Sequence, residues 1–190
     1  MEFRVLGDAD EGPTLRLDWE RFSYAGKFVM SATGKAVACD ANPSIPDARE
    51  GETEGVYAAV SFNVDRTDDA TAWLRYVSVR ADYRGEGLGA RLCAFAADFL
   101  LDERGFERVR IAVNNPYAYH ALHKGGFGFT GEETGIAELV LERPCEERDG
   151  RYAEGLERYL DRESLSEAER AFVREKREEG PPERVAGQPP

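Results

Sequence analysis

Lysine is nearly absent from this sequence. Of 25 basic side chains only 4 are Lys, and they face 37 Asp and Glu, for a net charge of −12. Nucleic acid is excluded as a partner, because binding it needs a basic surface. An acidic surplus with scarce Lys fits a protein adapted to cytoplasm of high salt, where screening relieves carboxylate repulsion; a high-GC genome would leave a similar bias. Cysteine is also sparse. Cys39, Cys93 and Cys145 are odd in number and far apart, which excludes a disulfide framework or a zinc site, and no metal is expected. Long apolar runs are missing, so no membrane partner is expected. The opening MEFRVLGDADEG lacks the basic start and apolar run of a secretory signal, and a cytoplasmic location is the expectation.

What is present is a chain of 190 residues, 42% hydrophobic, enough for one domain with an extension. Residues 3–6 read as a strand, the alternation in TLRLDW (14–19) as another, and 27–40 as two extended segments about Thr33-Gly34. Residues 41–55 read as a mobile loop. Residues 55–64 and 71–79 form an antiparallel hairpin rich in β-branched and aromatic side chains. Leu88, Leu92, Phe95, Phe99 and Leu100 recur at helical spacing up to Gly105. A strand at 106–113 precedes a short helix with Asn115 as its cap and Pro116 at its first position. Two strands near 127–131 and 136–144 follow. The fold class is α/β, with strand–helix–strand about the glycines forming a right-handed parallel crossover.

After Pro144 the composition changes. Residues 145–190 carry 13 acidic and 9 basic side chains. Tyr152, Leu156, Tyr159 and Leu160 stripe one helix, and SEAE (166–169) is a capping box for a second. The reading is therefore a domain at 1–144, a charged helical extension at 145–180 and a disordered tail at 181–190. The extension would dock on the domain, form a homodimer contact or stay solvated.

The stretch DYRGEGLGARL (82–92) carries the chemistry. Glycines at 85, 87 and 89 open a helix, so backbone N–H groups and the helix dipole converge on one spot suited to phosphate. The dinucleotide fingerprint fails, since its third glycine belongs at 90, and the triphosphate loop fails for want of a Lys and a Ser or Thr. What remains is R-G-x-G-x-G, and it is not alone. Arg84, Gly87 and Gly89, after Val77-Ser78-Val79, resemble the R/Q-x-x-G-x-G/A signature of the GNAT superfamily, the general-control-related N-acetyltransferases. Asn115, Ala118, Lys124, Gly126 and Phe127 match the family's second motif in register.

The resemblance implies a GNAT-like mixed, mostly antiparallel central sheet with a parallel βαβ crossover and flanking helices, over residues 55–142. It implies acetyl-CoA as acyl donor and direct transfer to an amine, small-molecule or peptide, with a non-catalytic CoA-binding sensor as the alternative. By resemblance, the amides of Arg84, Gly85, Glu86, Gly87, Leu88, Gly89 and Ala90 hold the pyrophosphate. The strand Val77-Ser78-Val79 lies along the pantetheine, which Val77 and Val79 pair with and Asn115 contacts. Arg80, Arg84 and Lys124 balance phosphate charge. The family's proton-donating Tyr falls on Leu122 here, so Tyr119 one turn back, or a water, is expected to serve; Tyr117 and Tyr119 as packing residues is the other reading. Trp73 stands where some members carry a Glu that serves as general base. On strict alternation it and Arg75 share a face with Val77 and Val79, leaving Glu54 and Asp68 as unplaced carboxylates. The acidic chain is expected to favour a cationic amine.

Overall fold

The computed structural model describes residues 1–30 and 33–190. Among the described residues, seven strands form one sheet in the order β1-β2-β3-β4-β5-β7-β6. These are β1 (Glu2–Leu6), β2 (Gly34–Ser44), β3 (Glu54–Val64), β4 (Thr71–Val79), β5 (Arg108–Val113), β6 (Gly128–Glu133) and β7 (Leu139–Arg143). All neighbours are antiparallel except β4 and β5. The parallel pair is joined by α2 (Leu88–Asp98), which runs on as a π-helical turn at Phe99–Glu103. The α/β class and the mixed sheet with its parallel crossover are as the sequence implies.

Two apolar layers sandwich the sheet. On one face α2 and α3 (Pro116–Lys124) pack Leu88, Leu92, Tyr119 and Leu122 against Val60, Leu74, Ile111 and Leu141. On the other, α1 (Ala25–Met30) and the chain before it bury Leu15, Leu17, Phe22 and Phe28 against Val37 and Ala59. The segment 14–19 is thus no strand. Its alternation serves burial alone: Leu15 and Leu17 turn inward, while its backbone bonds go to Phe28 and Thr53 rather than to a ladder. The first part of 27–40 is the end of α1 rather than extended chain; residues 31–32 lie outside the described residues. β2 also claims residues 41–44 of the expected loop.

The charged extension docks. Residues Tyr152, Leu156 and Tyr159 of α4 (Tyr152–Leu160) and Val173 of α5 (Glu167–Glu179) are fully buried in the same core as α2 and α3. The capping box at Ser166 forms with both bonds present. The terminal segment, expected to be disordered, lies against the domain. The Val185 N–H donates to the Lys124 carbonyl at 2.8 Å, and Arg148 donates to the Pro182 carbonyl at 3.1 Å.

Beneath α4 sits His123, fully buried between the rings of Tyr119 and Tyr152, with neither ring nitrogen bonded among the described residues. Burial, with Arg148 and His120 adding to it, lowers its pKa to about 3. The neutral form is the folded form. Stability is therefore whole above pH 6.5 and falls as the unfolded chain takes up a proton that the folded chain refuses, by about 1.4 kcal/mol per pH unit until about pH 3. Carboxylates such as Asp65 add losses of the same sign at lower pH. His123→Leu removes two unsatisfied buried atoms, so urea melts should show it about 1–3 kcal/mol more stable at neutral pH. Its stability should also fall less steeply than wild type between pH 6 and pH 4.

Candidate cofactor cleft

Pairing between β4 and β5 stops at Leu74–Ile111, although β4 continues to Val79 and β5 to Val113. The cause lies on the other side of β4. Against β3, Ser61 faces Tyr76 while Phe62 faces Leu74, so Arg75 is an extra residue. Such a bulge kinks its strand and raises the twist, and β4 turns away from β5. A cleft opens between them.

The bulge also exchanges the faces of β4. Ala72 and Leu74 point to the α2 side, and beyond it Val77 and Val79 do so, while Tyr76 packs on the α1 side. Trp73 and Arg75 therefore lie on the face opposite Val77 and Val79, reversing what strict alternation gives. Residues across an antiparallel pair alternate between bonded and non-bonded positions. The Arg80 N–H donates to the Tyr57 carbonyl at 2.8 Å, so Ser78 and Tyr76 also turn their backbone groups to β3. Those of Val77 and Val79 face the cleft. Ser78 keeps its hydroxyl on the α1 side, where it donates to the Ser23 carbonyl at 2.6 Å.

The glycine turn stands at the open end of this cleft. Gly85 (φ 88°) and Gly87 (φ 80°) take left-handed conformations, and a Cβ at either would meet no atom within 4 Å. The space in front of them is open. Gly89 differs: a Cβ there would come 3.1 Å from Val79, so its bareness lets the helix start close on β4. Leu88, Gly89 and Ala90 occupy the first turn of α2 with no carbonyl ahead of them and no side-chain cap. Their amides and the dipole are available to an anion. Glu86 is exposed and offers only its backbone.

The Arg84 guanidinium is anchored, donating to the Val79 carbonyl at 3.0 Å and the Ser23 hydroxyl at 3.1 Å. Arg80 is held by Asp82 at 2.7 Å, and its guanidinium lies 4.8 and 4.7 Å from the ring centres of Tyr57 and Tyr83. Lys124 ends α3, whose next residue, Gly125, abuts the Ala90 carbonyl. Asn115 caps α3, its side-chain oxygen accepting from the Ala118 N–H at 2.9 Å, and its amide nitrogen donates to Asn114 Oδ1 at 3.4 Å, which leaves one N–H for a ligand.

The expected proton donor is elsewhere. Tyr119 is fully buried, and its hydroxyl donates to the Tyr152 carbonyl at 3.1 Å. Desolvation drives its pKa far above the usual phenol range. It is a core residue beneath α4, as is Leu122 beside it. Asp68 is likewise remote. It sits in the β3–β4 turn, at the opposite end of β4, accepting from Thr71 and facing Arg108. Glu54 begins β3 and pairs with Ser44, on the β2 side of the sheet.

Two groups that sequence reading missed come from the extension. The Tyr159 hydroxyl donates to the Val113 carbonyl at 3.2 Å, and Arg162 to the Asn114 carbonyl at 2.8 Å. They satisfy carbonyls at the end of β5, where the strand leaves β4. The aromatic stripe of α4 was visible in the sequence; its destination was not.

The acetyltransferase (GNAT) family pattern matches residues 10–129. Among solved structures, a ribosomal-protein-S5-alanine acetyltransferase from Vibrio fischeri is 16% identical over 60% of this chain and 63% of its own, with a TM-score of 0.44. An N-acetyltransferase from Thermoplasma acidophilum in complex with coenzyme A is 16% identical over 57% and 58%, at 0.41. One from Staphylococcus aureus Mu50 is 15% identical over 57% and 66%, at 0.44. The chain thus spans less than two thirds of the length of each. No curated protein matches. The family match covers more than half of the chain and contains the split strands, the glycine turn and the capped helix together, and the chain belongs to the GNAT family of acetyltransferases.

Proposed function

We propose that this protein transfers an acetyl group from acetyl-CoA to an amine in one direct step. The observation that carries the proposal is the cleft between β4 and β5 with an uncapped glycine turn at its open end. When bound, acetyl-CoA supplies the activated acyl group as a thioester. The chain's own groups fit such a molecule. The first-turn amides of α2 would bind its pyrophosphate, with Lys124 adding charge. Val77 and Val79 would extend their ladder to its amide-bearing arm, and a backbone N–H there would polarise the acyl carbonyl. The transfer forms one C–N bond, breaks one C–S bond and moves one proton from nitrogen to sulfur. No phenol reaches the cleft from position 119, so water carries that proton. Holding acceptor and donor together supplies much of the rate.

The burial of Tyr119 and Leu122 favours a second reading, a CoA-binding module without turnover. Calorimetry with CoA, followed by thiol release from acetyl-CoA over a panel of amines, separates the two. Binding with turnover supports transfer, binding alone supports the sensor, and absence of binding overturns both.

A further inference from the structure

Residues 21–23 are tied to the end of β4 and the start of the glycine turn by three bonds, none of them part of a ladder. The Ala81 N–H donates to the Arg21 carbonyl at 2.9 Å, the Ser78 hydroxyl to the Ser23 carbonyl at 2.6 Å, and the Arg84 guanidinium to the Ser23 hydroxyl at 3.1 Å. The other bond of that guanidinium runs to the Val79 carbonyl. Arg84 thus spans from β4 to the segment that enters α1. The residue after Ser23 is strained. Tyr24 holds a left-handed backbone (φ 59°), which a bulky side chain keeps only where its neighbours impose it. Ser23 is fixed ahead of it; behind it the Lys27 N–H donates to the Tyr24 carbonyl at 2.8 Å, and Ala25 and Phe28 are buried. Core packing does not account for the side chain, which belongs to a residue 58% exposed. Its ring lies 6.3 Å from that of Tyr76 on the α1 face. Tyr76 is two residues past Leu74, the last β4 residue paired with β5, so Tyr24 stands where the two strands part.

A second reactant has to approach from that face. On the other, α2 and α3 roof β5 and bury Val109, Ile111 and Val113. Ala112 points the opposite way and is only partly covered, because the α1 layer packs on β2, β3 and β4.

We propose that Tyr24 contacts the acceptor amine, and that Arg84 is a positioning residue acting through Ser23, latching Tyr24 to the glycine turn rather than binding phosphate. The acceptor half of this rests on the transfer reading; the latch does not. An exposed ring is a flat surface for an acceptor to pack on. A backbone held on both sides keeps that ring in place before the acceptor arrives, which lowers the ordering cost of binding.

The probe is whichever of spermidine, glucosamine, lysine amide and an alanine-terminated peptide is acetylated fastest. Tyr24→Gly should raise its KM at least tenfold and leave kcat within about threefold, as loss of uniform binding does. Glycine sheds the strain at φ 59°, so the melting temperature should hold; should it fall, Tyr24→Asn, also tolerant of that backbone, repeats the measurement. Ser23→Ala and Arg84→Lys should each raise KM about fivefold, the worth of one hydrogen bond, with CoA affinity changed less than twofold. Lysine keeps the charge but lacks the fork that reaches Val79 and Ser23 together. Added to Tyr24→Gly, Ser23→Ala should do nothing more, because it acts through the residue already removed. Unchanged KM in the Tyr24 variants, or a tenfold loss of CoA affinity in Arg84→Lys, overturns the proposal and leaves acetyl transfer standing. Should CoA bind and no probe be acetylated, the transfer reading falls and the acceptor role of Tyr24 with it, and hydrogen exchange reads the latch alone. CoA should then slow exchange of amides 22–27 at least threefold in wild type and not in Ser23→Ala; equal exchange with and without CoA removes the latch.

Discussion

Gly87→Asp is expected to abolish measurable CoA binding while leaving the fold intact. The two halves of that result have separate physical causes. Gly87 sits at φ 80° before the first turn of α2, and nothing lies within 4 Å of its missing Cβ. A side chain there clashes with no protein atom, and Asp tolerates left-handed backbone better than most residues. The folding cost is about 1 kcal/mol, below what would unfold the domain. The ligand suffers more. The new carboxylate would stand where the first-turn amides converge, and one like-charge contact near a protein surface is worth about 4 kcal/mol, about a thousandfold in affinity. Gly87→Asn supplies the control: equal size, no charge, and an intermediate loss. Calorimetry with CoA reads both. Wild-type affinity in Gly87→Asp would move the anion site away from the turn.

That turn was legible because its information is local. Glycine spacing, a cap at Asn115 with Pro116 behind it, and the Ser166 capping box are each fixed by a few adjacent residues, and each appears where the sequence puts it. The hairpin of β3 and β4 and its parallel neighbour β5 were readable for the same reason, as runs of strand-forming residues between turns. What failed depends on partners distant in sequence. The alternation of Leu15 and Leu17 is real, but the segment packs on a face of the sheet, over Val37 and Ala59, rather than along an edge. A six-residue α1 after a left-handed Tyr24 (φ 59°) is too short to show a period. The bulge at Arg75 is a relation between two strands, and one unpaired residue reverses every face beyond it. That single shift moved Trp73 and Arg75 to the α1 side. Tyr119 failed for a related reason. A tyrosine in a helix carries no mark of which neighbour will cover it, and here the cover is α4, more than thirty residues on.

Gly155→Ala tests that cover, and the sign of its effect decides between two pictures of the extension. In a solvated helix, alanine in place of glycine stabilises by about 1 kcal/mol through backbone entropy alone. In α4 as docked, a Cβ at 155 would lie 2.1 Å from the Tyr119 hydroxyl oxygen and 2.4 Å from the ring carbon bearing it. The ring has little room to yield, with Tyr152, Tyr159, Phe129 and His123 around it. Overpacking of this kind costs about 3 kcal/mol, which exceeds the propensity gain. A net loss of about 2 kcal/mol, or a melting point lower by several degrees, is expected. Tyr119→Phe in the same chain removes the closest contact, so the double variant should recover part of the loss, a coupling that independent sites do not show. Displacing α4 would also withdraw Tyr159 and Arg162 from the Val113 and Asn114 carbonyls. The end of β5 would then loosen, and CoA affinity should fall along with stability. A stabilised Gly155→Ala with unchanged CoA affinity would mean that the extension does not form this wall of the cleft.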